Sequence, residues 1–267
     1  MTKIILISDV HMTKPGDLIV GLDPQDRLAA VLSNVCTHHQ DADHVIVMGD
    51  LAHYGSRAEY ARLQNILARF DIPCPVALMP GNHDRRAGFH AVFGRAFAPF
   101  VVSTPSHDIL CLDTLDEDAP DRHSGLVSDT QRRWIMDQIA ASTKRIVVLA
   151  HHPFGPVGFD GMDSIALRNG ADLADALQAT GRIDLLVAGH IHRSISGTYR
   201  GLPFGIVTSP CHQMPFVLGP GSSALSDAGP GGYGVMLMSD VGVVLHGVTV
   251  GGPDTAPQQD AQSGEGH

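Results

Sequence analysis

The sequence predicts an α/β domain with a mostly parallel sheet core, and three observations carry that expectation. Five short apolar runs rich in branched residues recur along the 267-residue chain, at residues 4–7, 45–48, 75–79, 146–149 and 185–188. Such runs are what strands buried on both faces look like. Segments of helical spacing lie between them, which is the pattern of βαβ units. Each run is also followed within three residues by Asp, Asn or His, at the strand ends where open α/β sheets gather their ligands.

Taken in order, Ile4-Ile5-Leu6-Ile7 leads to Asp9-Val10-His11, and apolar spacing from Asp26 to Val35 gives a first helix. Val45-Ile46-Val47-Met48 leads to Gly49-Asp50, followed by a helix over 57–70. Pro75-Val76-Ala77-Leu78-Met79 leads to Gly81-Asn82-His83-Asp84. Cys111-Leu112-Asp113-Thr114 ends a further strand and opens an acidic, proline-containing loop through Asp116, Glu117, Asp118, Pro120 and Asp121. That loop reads as solvated, or as a pocket rim that disfavours highly anionic ligands. Helices over 129–139 and 172–177 flank Ile146-Val147-Val148-Leu149, which leads to His151-His152. Leu185-Leu186-Val187-Ala188 leads to Gly189-His190-Ile191-His192, and a strand over 204–208 precedes Cys211-His212. Glycine and proline between Gly219 and Gly232 mark a loop, after which 233–238 and 241–250 alternate as antiparallel strands. One domain is expected over 1–251, with a polar, disordered tail over 252–267.

Composition narrows the function. The formal charge is −10, from 28 acidic and 18 basic residues, whereas nucleic-acid binding needs clustered Lys and Arg. Long nucleic acid is therefore not an expected partner, and neither is a membrane, since no apolar stretch approaches the ~20 residues of a span. The chain passes from Met1-Thr2-Lys3 straight into the first strand, leaving no removable signal peptide to read. Cys36, Cys74, Cys111 and Cys211 lack paired spacing and read as thiols of a reducing cytoplasm. There is no G-x-x-x-x-G-K-[ST] loop, no G-x-S-x-G elbow and no G-x-G-x-x-G after a strand.

A polar residue after a single strand reads as a cap or turn; five such motifs in series call for a shared site. Their order, D-x-H, G-D, G-N-H-D, H and G-H-x-H, resembles the calcineurin-like metallophosphoesterases over roughly residues 4–250. The Asn82-His83-Asp84 block, His151-His152-Pro153, the 162–170 stretch and Cys211-His212-Gln213-Met214-Pro215 look most like one bacterial branch. That branch holds the class III cyclic-nucleotide phosphodiesterases and related glycerophosphodiesterases. The resemblance implies a four-layer α/β/β/α sandwich of two mixed sheets flanked by helices, with two divalent metal ions at one sheet edge. It assigns Asp9, His11 and His192 to one ion, Asn82, His151 and His190 to the other, and Asp50 to the bridge between them. Oxygen and imidazole donors without thiolate suit Mn, Fe, Zn or Co. Alternation in an extended segment would turn His190 and His192, or Asp9 and His11, to the same side.

A water held by two cations ionises near neutral pH and attacks phosphorus as hydroxide. His83 would stabilise the phosphoryl oxygens or protonate the leaving alkoxide, with Asp84 orienting its ring. Asn82, His83 and His212 are the expected substrate contacts, the substrate being a small phosphodiester. His152 reads either as a support for its ligand neighbour or as packing. His53 departs from the family, which commonly has Asp or Asn there, and reads as a residue that could still reach the site as a hydrogen-bond donor. The histidines at 38, 39, 44, 90, 107, 123 and 246 lack a motif and read as surface or packing residues. Arg85, Arg86, Arg168 and Arg193 read as surface or supporting groups rather than anion clamps, so diesters should be preferred over dianionic monoesters. Phosphomonoesterase or nuclease action with the same metals is the second reading. A non-catalytic scaffold would predict missing ligands, and none is missing. The apolar Phe216-Val217-Leu218 before the glycine-rich segment suggests pairing into a homo-oligomer, as related enzymes are dimers or larger.

Overall fold

Alternation within the apolar runs decides the layering. A computed structural model describes residues 1–219 and 225–251. In its first sheet β1 (Thr2–Ile7), β2 (His44–Met48) and β3 (Val76–Met79) are parallel. The antiparallel strands β10 (Gly231–Ser239) and β11 (Gly242–Val250) extend it beyond β1, giving the order β11-β10-β1-β2-β3. Ile5, Ile7, Val45 and Val47 face outward against α1 (Pro24–His38) and α2 (Arg57–Ala68), packing on Leu28, Leu32, Val35, Tyr60 and Leu63. Ile4, Leu6, Ile46 and Met48 face the other way, into a core shared with the second sheet.

That second sheet has parallel strands β5 (His107–Cys111), β6 (Arg145–Leu149), β7 (Ile183–Ala188) and β9 (Leu202–Ile206). Antiparallel edge strands β4 (Phe100–Ser103) and β8 (Ile195–Tyr199) complete the order β4-β5-β6-β7-β9-β8. Ile109, Cys111, Val147, Leu149 and Val187 meet the first sheet. Leu110, Ile146, Val148 and Leu186 instead pack under α4 (Asp129–Ala141) and α6 (Gly170–Ala179), against Ile135, Ile139, Leu173 and Leu177. The molecule is thus the expected α/β/β/α sandwich, and burial on both faces explains why the central runs are continuously apolar. Among the described residues no helix is long and apolar enough to cross a membrane.

The four helices expected between runs are present. Ser56 opens α2 with a capping box, its hydroxyl accepting from Glu59 N while Glu59 accepts from Ser56 N. Arg62 of α2 grips Asp23, the N-cap of α1, with two hydrogen bonds of 2.9 and 2.6 Å. Other elements depart from the sequence reading. Strand β8 reads Ile-Ser-Gly-Thr-Tyr with its three central residues exposed, so no apolar run announces it. Helix α3 (Arg86–Phe93) fully buries only Phe89. The strand expected over 204–208 ends at Ile206, because pairing with β8 moves it toward the chain start. Gly231 and Gly232 belong to β10 rather than to the preceding loop, and a Cβ on Gly231 would sit 2.3 Å from the Pro210 carbonyl. Expectations for residues 220–224 and for the tail over 252–267 lie outside the described residues.

Candidate metal centre

The C-terminal ends of β1, β2, β3, β6 and β7 converge, and the seven residues expected to hold metal come together there. All seven are buried. Five of them, Asp9, His11, Asp50, His190 and His192, have left-handed backbone with φ between 47° and 71°. Each such residue costs about 1–2 kcal/mol outside glycine, and concentrated strain of this kind marks functional sites. Backbone bonds hold it in place: Asp9 N donates to Gly49 O at 3.1 Å, and His11 N to Asp50 O at 2.7 Å. His190 N donates to the Asp9 carboxylate at 3.0 Å. The extended alternation expected at Asp9–His11 and His190–His192 is therefore not found. Left-handed residues flank Val10 and Ile191 instead, and those two still pack in the core. Gly81 and Gly189 let the loops close on the carboxylates. A Cβ on Gly81 would lie 2.3 Å from Asp50 Oδ1, and one on Gly189 would lie 2.8 Å from Asp9 Oδ2.

Asp50 stands between two groups of donors. Its Oδ2 is 3.4 Å from His11 Nε2 and 3.4 Å from His151 Nε2. On one side His11 Nε2 and His192 Nε2 are 3.0 Å apart, and His192 Nε2 is 3.4 Å from Asp9 Oδ1. On the other, His151 Nε2 lies 3.1 Å from Asn82 Oδ1, and Asp50, His151 and His190 bring ligand atoms within 4.8 Å of one another. Three rings have their Nδ1 engaged: His151 with Met48 O at 3.0 Å, His192 with His212 O at 2.9 Å, and His11 with His53 Nδ1 at 3.2 Å. An engaged Nδ1–H leaves Nε2 as the lone-pair nitrogen. The His190 ring has a buried Nε2 with no hydrogen-bond partner. Imidazoles facing one another and a buried orphan nitrogen beside two carboxylates are poor protein chemistry unless a cation shares the space.

Electrostatics agree. Burial opposes the charge on Asp50, yet His151, His83 and His11 together hold its carboxyl well below the usual range. Burial likewise opposes charge on His151, but Asp50 and Asp9 hold it up to about 9. Those carboxylates draw positive charge into the site, as a proton on His151 or as a divalent cation. Burial pushes His11 and His190 well below the usual imidazole value, which keeps them neutral as metal ligation requires.

His83 borders a cleft of about 470 Å³ above these residues. Its backbone N donates to Asp50 Oδ1 at 2.8 Å and its Nδ1 to His53 O at 2.8 Å. Asp84 does not orient that ring as expected. Its buried carboxylate accepts from Gly81 N, Leu51 N, Ala52 N and the Tyr60 hydroxyl at 2.8–3.2 Å. The tight Gly81–Asp84 turn points the carboxylate back at the β2 loop, so Asp84 braces the backbone that presents Asp50 and His83. Burial and the Asp50 charge push its carboxyl up to about 7.

His212 lines the cleft as expected, its ring 4.2 Å from that of His192. His152 is a brace, bonded to Thr114 Oγ1 at 2.7 Å and His123 O at 2.9 Å. His123, read from sequence as a surface or packing residue, lines the cleft, and its Nδ1 is 3.1 Å from Asn82 Nδ2. No motif marks it; the nearest signal is Asp121, whose carboxylate accepts from His123 N and Ser124 N and bends the acidic loop toward the site. His53 also lines the cleft, and burial pushes its ring down to about 4. The four arginines near the motifs point elsewhere. Arg85 donates to Asn82 O and Asp84 O, Arg86 pairs with Asp113, Arg168 with Asp116, and Arg193 donates to Met214 O. Met162, Ile165, Met214 and Leu225 form an apolar side to the cleft.

A model of the calcineurin-like phosphoesterase family matches residues 2–194. The chain belongs to the calcineurin-like phosphoesterase family. Among its relatives is a probable cyclic nucleotide phosphodiesterase of Rhodopseudomonas palustris, 35% identical over 224 residues and covering 81% of each chain. Another is the glycerophosphodiester phosphodiesterase GpdQ of Enterobacter lignolyticus, 27% identical over 79% of this chain and 78% of that one. A dimetal phosphatase from Danio rerio has the same fold, with a TM-score of 0.69 at 15% identity over 93% of this chain and 98% of its own. Membership of the calcineurin-like phosphoesterases and the clustered Asp and His side chains together support use of divalent metal.

Proposed function

We propose that the chain is a dinuclear metal-dependent phosphodiesterase of small substrates, 3',5'-cyclic nucleotides or glycerophosphodiesters. The observation that carries this reading is Asp50, whose Oδ2 is 3.4 Å from a ring nitrogen of each donor group, beside a cleft with no Lys or Arg among its described lining residues. Asp9, His11 and His192 would hold one cation and Asn82, His151 and His190 the other, of Mn, Fe, Zn or Co type. When bound, such a pair acidifies water and withdraws charge from phosphorus. The protein's own groups do the rest. His83 has Nδ1 committed to His53 O, so Nε2 is the nitrogen that takes or gives a proton at the cleft. As an imidazolium it donates to a phosphoryl oxygen and then to the leaving alkoxide. Asn82 contributes its amide nitrogen beside His123, and His212 closes the opposite side.

A diester brings one negative charge at phosphorus and a monoester brings two. With no Lys or Arg lining the described cleft, a second negative charge meets no cationic side chain beyond His83, which favours diesters. The relatives' printed names supply the two substrate classes. A cytoplasmic setting belongs to the same reading and is supported by four unpaired cysteines. So does association of two copies, supported by exposed Phe216, Val217 and Leu218. The test is turnover by Mn-reconstituted protein of 3',5'-cyclic AMP, 2',3'-cyclic AMP, glycerophosphocholine, bis(nitrophenyl) phosphate and nitrophenyl phosphate. A diester should lead the monoester in kcat/KM by at least tenfold, about 1.4 kcal/mol of transition-state discrimination. A leading monoester, or no turnover with metal bound, contradicts the reading.

A further inference from the structure

We infer that His53 is a positioning residue for the metal centre, its ring acting as the acceptor that fixes the tautomer of His11. The inference rests on the proposed metal role of His11. An imidazole that offers Nε2 to a cation carries its proton on Nδ1, and a buried N–H needs an acceptor. For His151 and His192 that acceptor is a backbone carbonyl, of Met48 and His212. His11 has no such carbonyl. Among the described residues its Nδ1 has one hydrogen-bond partner, His53 Nδ1, at 3.2 Å.

The surroundings fix His53 in that role. Its backbone N donates to Met12 O at 2.9 Å, and Met12 N to Leu51 O at 3.1 Å, tying the loop after β2 to the loop after β1. Its ring stacks on His83, with centroids 5.1 Å apart and planes 20° apart, while the Tyr54 ring meets it edge-on at 4.5 Å. For His53 Nδ1 to accept, its proton sits on Nε2, which defines one neutral tautomer for each ring. A neutral imidazole is a weaker partner than a carboxylate, and carboxylate partners raise the basicity of a ligating histidine. The cation held by Asp9, His11 and His192 is therefore bound less tightly in this chain than a carboxylate at position 53 would allow. His53 serves His83 separately, through its carbonyl, and a side-chain substitution leaves that carbonyl in place.

The experiment is Mn²⁺ titration of the chelator-treated full chain by calorimetry, without substrate, for the wild type and for His53→Ala, His53→Asn and His53→Asp. Asn Oδ1 and Asp Oδ1 stand where His Nδ1 stands, so both restore an acceptor. His53→Ala should weaken one of the two Mn²⁺ sites by at least tenfold. His53→Asn should recover most of that loss, and His53→Asp should bind at least as tightly as the wild type. Unchanged affinity in His53→Ala overturns the inference alone. A loss in His53→Ala that neither acceptor variant recovers also overturns it, reducing His53 to packing. A wild type that binds no Mn²⁺ overturns both the inference and the functional reading beneath it.

Discussion

At the residue scale the proposed site divides into candidate metal donors, His83 as the proposed proton handler, and braces. His83 and Asn82 sit at the cleft and take no part in any core cluster, so replacing either by Ala should cost turnover rather than folding. We expect kcat/KM on the best diester to fall by roughly 10²–10⁴ for His83→Ala, with the far-UV spectrum and melting midpoint retained. Full activity in both variants would remove the proposed chemistry. The clustering of the candidate ligands was legible in the sequence because each follows an apolar run, and burial on two sheet faces is a strong local signal. Their conformation was not legible. Alternation assumed an extended chain at residues 190 and 192, where the backbone is left-handed at both. Nor were the partners legible: Asp84 follows His83 directly, yet its bonds run to Leu51 N and Ala52 N more than thirty residues away. His123 reaches the cleft through loop geometry that no spacing encodes, whereas His53 was placed near it by the G-D motif.

Elements position these residues with different firmness. The strand ends are fixed by two packed sheets, whereas the segment over the cleft rests on less. Its short helix α5 (Asp160–Asp163) is tied by the Asp163 carboxylate, which accepts from Val157 N at 2.7 Å and Gly158 N at 3.0 Å. Phe159 and Met162 pin it on Ile191 and Met214, and Met162 and Ile165 line the cleft. Asp163→Ala should loosen that wall while leaving the donors alone. KM should rise by roughly threefold or more with a smaller change in kcat, read from steady-state kinetics at saturating metal. An equal loss in kcat with unchanged KM would place the segment's role in the chemical step instead. Helices α1, α2, α4 and α6 were readable because each covers a sheet with a broad apolar face. Helix α3 and strands β4 and β8 escaped because they are short and partly exposed.

For the whole molecule, the two sheets share an apolar core, and one group of ion pairs ties the second sheet at the strand starts, opposite the candidate metal residues. Asp184, at the start of β7, accepts from His107 Nε2 at 2.9 Å and pairs with Arg145, joining β5, β6 and β7. Burial opposes its charge, but Arg145 and His107 hold its carboxyl below the usual 3.8. A depressed carboxyl contributes stability that is present above the unfolded value and lost as pH falls through the folded one. Asp184→Asn should therefore lower stability near neutrality by under about 1 kcal/mol, since the pair is partly exposed. The gap to the wild type should close below about pH 4, as followed by urea denaturation across pH. A gap that stayed the same on acidification would assign the loss to packing.

The layered fold, the clustered Asp and His side chains and the family support the central proposal, that hydrolysis depends on two cations shared across Asp50. The direct measurement strips the protein with chelator, adds Mn²⁺ in increments, and follows bis(nitrophenyl) phosphate hydrolysis against bound metal. Activity should be absent in the stripped protein, appear with metal and plateau at two equivalents. Full activity in the stripped protein, or a plateau at one equivalent, would contradict the account.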